Sequence, residues 1–358
     1  MGTPETRIGI LTSGGDCPGL NTVIRAVVKA ASKRGWTTLG IRGGFEGLLS
    51  PVQFEVLDYK RMDGLLVRGG TILGAANKGR FAAKVGQGEA QTIPRDVLEE
   101  AKQAVEILSL KALICVGGDG SLTAAQQLFE IGVPVVGVPK TIDNDLEATV
   151  ITFGFDSAVA SATDALDRLH TTAASHNRLM VLEVMGRHTG WIATYAGIAG
   201  GADVILIPER PIDIERVCGH VVSRSKQGKK FSIVVVAEGA QFQEGDHVTQ
   251  AKGLDAFGHV RLGGIGQAVS DEIEKRTKHE TRCTVLGHVQ RGGSPIPFDR
   301  VLATRFGVCA ADLVKQGDFG KMAALRGNDV VPVELGDAVT KLKTVDPAFF
   351  EMAEVFFG

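Results

Sequence analysis

The sequence lacks the features that would place the chain in a membrane, outside the cell or on nucleic acid. No segment has the long uninterrupted apolar stretch that a membrane helix needs, and the residues MGTPETRIGIL enter a strand-like run without a basic and apolar leader. The net charge is −2, and no block of lysine and arginine is long enough to attract nucleic acid or anionic lipid. We expect no export, no membrane span and no nucleic-acid partner.

The cysteines give no sign of a disulfide framework or of a zinc site. They are five in number, widely spaced, and include no CxxC pair. A reducing cytoplasm fits this usage best.

Glycine is abundant, and it follows apolar runs. It accounts for 46 of the 358 residues, and it is clustered after runs such as RIGILT, KALICVGG and RLMVLEVMG. Most of these runs precede an amphipathic segment of helical length, an alternation that predicts parallel sheets covered on both faces. The number of runs favours two lobes, 1–154 plus about 290–340 and 155–289 plus about 341–358. Residues 82–91 and 241–258 are expected to be surface excursions.

The first glycine-rich loop, TSGGDCPGLN at Thr12 to Asn21, lies between a predicted strand and a predicted helix. Its backbone N–H groups and the helix N-terminus would converge on an anion, and glycine lets the backbone approach a phosphate closely. The alternative is a tight turn with Asn21 as the helix cap. The loop matches neither GxxxxGK[ST] nor GxGxxG, which disfavours a Rossmann dehydrogenase.

Two further loops carry charge beside glycine. GGDGS, Gly117 to Ser121, places Asp119 next to the expected phosphates, and this predicts a Mg²⁺ ion between them. Lipid kinases and NAD kinases contain a similar GGDG[ST] pattern. GGTILGAANKGR, Gly69 to Arg80, offers Lys78 and Arg80 to a phosphate, or is only a surface turn.

PKTIDNDL, Pro139 to Leu146, places an ammonium, a hydroxyl and two carboxylates after the apolar run VPVVGV. Aspartate and asparagine also form ordinary turns and caps, so this stretch alone leaves both interpretations open.

The loops occur in this order and are followed by MGRHTGW, AEG and TRCTVLGHVQRGGSP. With this set of motifs the chain resembles the 6-phosphofructokinases from about Arg7 to Gly317. The resemblance implies an α/β fold of two Rossmann-like lobes, each a mostly parallel sheet flanked by helices. The first lobe would bind the phosphoryl donor and the second the sugar phosphate. It also implies a cytoplasmic glycolytic kinase that transfers a phosphoryl group from ATP, with Mg²⁺, to the 1-hydroxyl of fructose 6-phosphate.

The resemblance assigns roles to individual residues. Asp143 would accept the proton of the 1-hydroxyl, Asp145 would help to hold Mg²⁺ or the base, and Thr141 would bind the transferred phosphoryl group and the sugar. Arg187 is implied to be both catalytic and sugar-binding. The donor would be bound by Gly15, Arg80, Gly118, Asp119, Gly120, Ser121 and Lys140, with Asp119 also a ligand of the metal.

The sugar phosphate would be held by Met185, Gly186, Arg187 and Glu238, and by the basic side chains Arg178, Arg282, His288 and Arg291. In relatives with this pattern Arg178 and Arg282 reach into the neighbouring subunit's site. The resemblance therefore implies a homo-oligomer, a tetramer or at least a dimer, with shared active sites.

Some positions depart from the bacterial ATP-dependent enzymes. Asn77 stands where they carry arginine, and Lys140, where they carry glycine, resembles the pyrophosphate-dependent members. Those members carry aspartate where this chain has Gly120, and without that side chain there is room for the α-phosphate of ATP. We expect ATP as the donor, with pyrophosphate as the alternative. The effector-site pattern is partial: it keeps basic Arg25 and Lys229 but has His170 and Gln227 in place of an arginine and a lysine.

Two other functions compete with this one. A non-catalytic subunit of the same fold would lack the acids of GGD or TIDND, which this chain retains. A different GGDG kinase, acting on NAD or a lipid, would have no need of MGR or GHxQRGG. The amphipathic tail VDPAFFEMAEVFFG could cap a lobe or contact another subunit.

Overall fold

A computed structural model describes residues 6–76, 79–81, 92–243 and 264–357. Asn77, Lys78, the expected excursion 82–91 and most of the second one lie outside these ranges. Within the described ranges, no helix combines the length and the apolar character that crossing a bilayer requires.

The described chain alternates strands with helices, as the apolar runs predict. The strands are β1 (Arg7–Thr12), β2 (Thr37–Ile41), β3 (Phe54–Leu57), β4 (Leu110–Gly117), β5 (Val135–Thr141), β6 (Phe153–Gly154), β7 (Leu179–Val184), β8 (Val204–Leu206), β9 (Ser232–Ala237), β10 (Thr281–Val285), β11 (Lys321–Arg326) and β12 (Asp329–Glu334). The α-helices are α1 (Leu20–Ser32), α2 (Arg95–Ile107), α3 (Asp119–Glu130), α4 (Phe155–His176), α5 (Trp191–Ala199), α6 (Ile214–Lys226), α7 (Ile265–Thr277), α8 (Pro297–Gln316), α9 (Leu335–Ala338) and α10 (Pro347–Glu354). Short 3₁₀ helices occur at Gly44–Leu48, Tyr59–Met62, Leu65–Val67 and Gly287–Arg291.

The larger sheet has the strand order β12-β11-β5-β4-β1-β2-β3, with β6 paired to β5. Its central strands are parallel, whereas β3 and β12 pair antiparallel at the two edges. The interior strand β5 is buried along its whole length, which explains its unbroken apolar run. The carboxyl ends of β1, β4 and β5 therefore lie side by side at one edge of this sheet.

The smaller sheet has the order β10-β7-β9-β8, and its pairs are all parallel. Its interior strands β7 and β9 are fully buried, and their sequences are apolar except for Glu183 in β7 and Ser232 at the start of β9. The predicted α/β class, with mostly parallel sheets flanked by helices, is confirmed. The assignment of donor and sugar-phosphate binding to two lobes with the predicted boundaries stays a prediction.

The chain after Val289 returns to the larger sheet and then crosses to the smaller one. Helix α8 begins with Pro297 and packs on α1, and β11 adds to the sheet beside β5. The buried carboxylate of Asp299 joins the start of α8 to α4, because Oδ2 accepts from the Ser157 N–H (2.8 Å) and hydroxyl (2.6 Å). Beyond α9, the tail lies against α5, where Phe349 contacts Trp191 and Tyr195.

Candidate active site

Three loops meet at the carboxyl ends of β1, β4 and β5, where ligands bind in open parallel sheets. Gly14 in the first loop is left-handed, with φ of 77°. A Cβ atom at Gly14 would lie 3.2 Å from Ser121 Oγ and 3.3 Å from Lys140 Nζ. The first, second and TIDND loops therefore converge on one point.

Lys140 lies at the centre of this convergence. Its side chain is buried, and Nζ donates to the carbonyl oxygen of Gly15 at 2.5 Å. Burial lowers the pKa of the ammonium, while the nearby carboxylates of Asp143 and Asp119 favour its charged form. The lysine thus places positive charge beneath the first glycine loop.

The second loop opens helix α3, with Asp119 as its first residue and Gly118 before it. A Cβ atom at Gly118 would lie 3.3 Å from the carbonyl oxygen of Lys140 and 3.8 Å from Thr141 Cβ. The second loop is thus in close contact with the end of β5. The helix N-terminus supplies N–H groups and a positive dipole to an anion bound there.

The third glycine loop is tied to the first by side chains that the sequence did not reveal. The amide of Asn21 donates to the carbonyls of Arg68 (3.0 Å) and Gly69 (3.1 Å) and accepts from the Ile72 N–H (2.8 Å). The alternative with Asn21 as the helix cap is wrong, because α1 begins after left-handed Gly19 without a side-chain cap.

A second tie comes from Thr12, at the end of β1. Its hydroxyl lies 2.8 Å from that of Thr71 and 3.0 Å from the carbonyl oxygen of Gly74. The third loop is therefore held against the first loop. Arg80, further along, forms ion pairs with Asp96 (3.2 Å) and Glu100 (2.6 Å) on α2, and its contact with a donor stays a prediction.

The TIDND turn follows β5 and buries both aspartates, which are 4% and 5% exposed at Asp143 and Asp145. Oδ1 of each is buried and has no hydrogen-bond partner among the residues that the structure describes. Asn144 between them is left-handed, with φ of 52°, a conformation that asparagine tolerates. The Thr141 hydroxyl accepts from the Asp143 N–H at 3.0 Å.

These carboxylates influence one another. The pKa of Asp145 is raised to about 7, chiefly by burial and also by the charges of Asp143 and Asp119, whereas Arg187 opposes the shift. The raised pKa reduces the negative charge that Asp145 adds to the turn beside Asp143. A bound cation would favour the ionised form of Asp145.

The loops after β7 and β9 complete the site from the smaller sheet. Arg187 is left-handed, with φ of 51°, and its N–H donates to Glu238 Oε1 at 3.2 Å. A Cβ atom at Gly239 would lie 1.8 Å from the carbonyl oxygen of Arg187, so only glycine fits there. Burial raises the pKa of Glu238 to about 7, and Asp143 contributes in the same direction.

Thr189 joins the loops of the two sheets, a role that sequence reasoning missed. Its buried hydroxyl lies 3.2 Å from the carbonyl oxygen of Asp143 and 3.2 Å from that of Gly186, which follows Met185. The residue belongs to the MGRHTGW motif, so the motif was the available signal, but nothing local indicated its partner 46 residues away.

Arg291 reaches the site from the short helix Gly287–Arg291. Its Nη1 donates to the carbonyl oxygen of Asp16 at 3.2 Å and would lie 2.8 Å from a Cβ atom at Gly15. The guanidinium therefore lies against the first loop, where its charge also lowers the pKa of Glu238. His288 in the same helix is exposed.

Arg178 and Arg282 lie away from this site in the structure. Both pair with Glu280, Arg178 through Nη2 at 2.9 Å. Arg178 precedes the six-residue strand β7, whereas Met185 follows it, and such a strand spans roughly 20 Å. The structure therefore does not bring these two arginines to the site of their own chain.

The acidic side chains of the site offer oxygen ligands of the kind that Mg²⁺ requires. Among the residues that the structure describes, no group of three or more His, Cys, Asp or Glu side chains is arranged to hold a metal. Mg²⁺ is usually bound by one or two carboxylates together with substrate phosphates and water. Asp119, with the partnerless Oδ1 atoms of Asp143 and Asp145 near it, fits an ion shared with a bound polyphosphate.

Known proteins share both the sequence and the fold. The model of the family described as Phosphofructokinase matches residues 7–314. The chain is 55% identical over 347 residues to the ATP-dependent 6-phosphofructokinase of Chloroflexus aurantiacus, covering 97% of this chain and 95% of that one. It is 53% identical over 356 residues to the pyrophosphate–fructose 6-phosphate 1-phosphotransferase of Streptomyces coelicolor, covering 98% and 100%.

Among solved structures, the phosphofructokinase of Pichia pastoris in the T-state superposes with a TM-score of 0.81 at 32% identity. The match covers 95% of this chain and 36% of that one, so the chain spans about a third of its length.

Proposed function

This chain belongs to the phosphofructokinase family, and we propose that it is a 6-phosphofructokinase that transfers a phosphoryl group from ATP to the 1-hydroxyl of fructose 6-phosphate, a step of glycolysis. One observation carries the proposal. The Asp143–Asp145 turn, with its two buried and partnerless carboxylate oxygens, lies where the glycine loops of the larger sheet meet the Arg187 and Glu238 loops of the smaller one.

Asp143 is the base in this proposal. Its Oδ1 has no partner within the described part of the chain, so it can accept the proton of a sugar hydroxyl held within hydrogen-bond reach. The Thr141 hydroxyl, at the end of β5, faces the same turn. Phosphoryl transfer needs little more than alignment of the hydroxyl with the phosphorus and neutralisation of charge.

The donor phosphates occupy the convergence of the first and second loops. Lys140, the N-terminus of α3 and the loop at Gly15 supply positive charge and N–H groups, with Gly118, Gly120 and Ser121 lining the same turn. Mg²⁺, when bound, neutralises phosphate charge, and Asp119 is the residue that would hold it, assisted by Asp145.

The sugar phosphate lies on the side of the smaller sheet. Glu238 accepts hydrogen bonds from hydroxyl groups of the sugar, and Arg187 approaches the transferred group from the turn that it shares with Met185 and Gly186. Arg291 and His288 bind the 6-phosphate, for which guanidinium donors are well suited.

Arg178 and Arg282 act on a neighbouring copy in this proposal. Their location at the opposite end of β7 from Met185 supports a site completed by a second subunit. The protein would then work as a homo-oligomer, a dimer or a tetramer, in the cytoplasm.

Pyrophosphate is the second candidate donor, and Lys140 favours it. The ammonium of Lys140 is already bound to the carbonyl oxygen of Gly15, however, so it also tolerates a longer polyphosphate. Gly120, in the first turn of α3, presents no side chain that would exclude the α-phosphate of ATP. We therefore assign ATP.

The test is product identification by ³¹P NMR, with fructose 6-phosphate, Mg²⁺ and either donor. We expect fructose 1,6-bisphosphate, formed with a higher kcat/KM for ATP than for pyrophosphate. A preference for pyrophosphate would overturn the donor, and the absence of any bisphosphate would overturn the function. Gly120→Asp is expected to lower kcat/KM for ATP by at least about 10-fold, and Gly219→Asp, at an exposed position of α6 with open space around it, serves as the control.

A further inference from the structure

The last part of the chain crosses the TIDND turn. We call residues 340–357 the C-terminal strap. Leu342 in the strap forms an isolated antiparallel bridge with Leu146, and the N–H of Lys343 donates to the carbonyl oxygen of Asp145 at 2.9 Å. The strap thus supplies a backbone partner to the segment that carries both aspartates.

The side chain of Lys343 adds three hydrogen bonds to the same segment. Its Nζ donates to Asn144 Oδ1 (2.9 Å) and to the carbonyl oxygens of Thr149 (3.0 Å) and Val150 (2.9 Å). An ammonium has three N–H donors, so these three acceptors use them all. Burial lowers the pKa of Lys343 to about 8, against the opposing influence of Asp145 and Glu147.

The turn needs such support because of its backbone. Asn144 and Ala148 are both left-handed, with φ of 52° and 63°, a conformation that asparagine tolerates but that is costly for alanine. The Asn144 side chain also accepts from the Thr152 N–H at 3.1 Å. Among the described residues Oδ1 of both aspartates has no hydrogen-bond partner, so the position of the carboxylates depends on the position of the turn's backbone.

The other side of Lys343 is anchored to the loop that follows Arg187. Its carbonyl oxygen accepts from Trp191 Nε1 at 2.8 Å. Glu209 reinforces this contact, since it accepts from the N–H groups of Gly190 (3.0 Å) and Val345 (3.0 Å). One residue of the strap therefore touches both the base-carrying turn and the MGRHTGW segment.

We propose that Lys343 is a positioning residue for phosphoryl transfer: its ammonium clamps the left-handed turn at Asn144, so that Asp143 and Asp145 are held toward the reacting groups. This inference rests on the proposed function. The three donors of the Lys343 ammonium are all used within the protein, so its loss should affect the transfer step rather than the binding of either substrate.

The test compares three variants with the wild-type enzyme at saturating fructose 6-phosphate and ATP. Lys343→Met removes the donors at similar length, and Lys343→Arg restores donors and charge. Lys341→Met is the matched control, because Lys341 lies in the same strap but is exposed and forms an ion pair with Glu147, at 3.4 Å.

We expect Lys343→Met to lower kcat by at least about 10-fold with both KM values within about 2-fold of wild type. Lys343→Arg should recover part of the loss, and Lys341→Met should match wild type. An unchanged kcat in Lys343→Met, or a loss shared equally by Lys341→Met, would overturn the proposal. The proposal would also be overturned if both KM values changed and the loss of activity followed the unfolded fraction measured by circular dichroism.

If Lys343→Met does not fold, Lys343→Gln decides in its place, because its amide cannot satisfy all three acceptors. It must then show the same loss of kcat at unchanged KM, and wild-type turnover would refute the clamp. A wild-type enzyme that makes no bisphosphate would refute the proposed function instead, so the two failures are distinguishable.

Discussion

Glu238→Gln should make the protein more stable at neutral and alkaline pH. Burial raises the pKa of Glu238 from its ordinary 4.5 to about 7. Between these pH values the folded state keeps a proton that the unfolded chain has released. The free energy of unfolding therefore falls as pH rises from about 4.5 to about 7, and the full cost persists above that range.

The size of the effect follows from the shift. Each pKa unit corresponds to about 1.4 kcal/mol, so a shift from 4.5 to about 7 sets a ceiling of about 3 kcal/mol, reduced by solvent screening at this partly exposed side chain. Glutamine carries no charge, and its carbonyl oxygen can still accept the Arg187 N–H. Glu238→Gln should exceed wild type in stability by up to that amount at pH 8 and match it near pH 4.

Urea unfolding, followed by circular dichroism at a fixed protein concentration between pH 4 and 8, measures the difference. Glu106→Gln, which removes an exposed carboxylate from α2, serves as the control and should show no such trend. A difference between Glu238→Gln and wild type that is constant across this range, or a less stable variant at pH 8, would refute the reasoning. The variant should also lose affinity for fructose 6-phosphate, as expected where a residue serves binding and lowers the stability of the fold.

Three further substitutions test the geometry of the site. Gly239→Ala should lower kcat/KM by at least about 10-fold, because its Cβ would displace the carbonyl of Arg187; steady-state kinetics equal to wild type would contradict the close approach. Arg291→Ala should raise the KM for fructose 6-phosphate and leave that for ATP nearly unchanged, and a rise for ATP alone would place the guanidinium in the donor site. Thr189→Val should lower the free energy of unfolding, measured with urea, by about 1 kcal/mol and should also lower kcat; wild-type values of both quantities would exclude a link between the loops.

The sequence predicts the parts of this site that depend on local pattern. Mostly apolar runs such as those of β4 and β5 mark buried parallel strands. The polar residues that follow them, Asp119 and Asp143 among them, must lie at the carboxyl edge of the sheet. The α/β class and the placement of these loops follow from that alone.

Partners that come from distant segments could not be predicted in the same way. Asn21 looks like a helix cap when only its neighbours are considered, yet its amide is used by the third loop because Gly19 already starts the helix. Lys343 lies 199 residues from Asn144 along the chain, and periodicity carries no information about such a contact. Arg178 looks like a site residue, but strand length places it at the far end of β7.

The central claim is that the carboxylate of Asp143 in the buried turn acts as the base of the transfer. The most direct test is the kcat of Asp143→Ser with saturating fructose 6-phosphate and ATP, together with equilibrium binding of fructose 6-phosphate. We predict a decrease in kcat of at least about 100-fold with sugar-phosphate binding broadly intact. Near-native turnover by this variant would contradict the account.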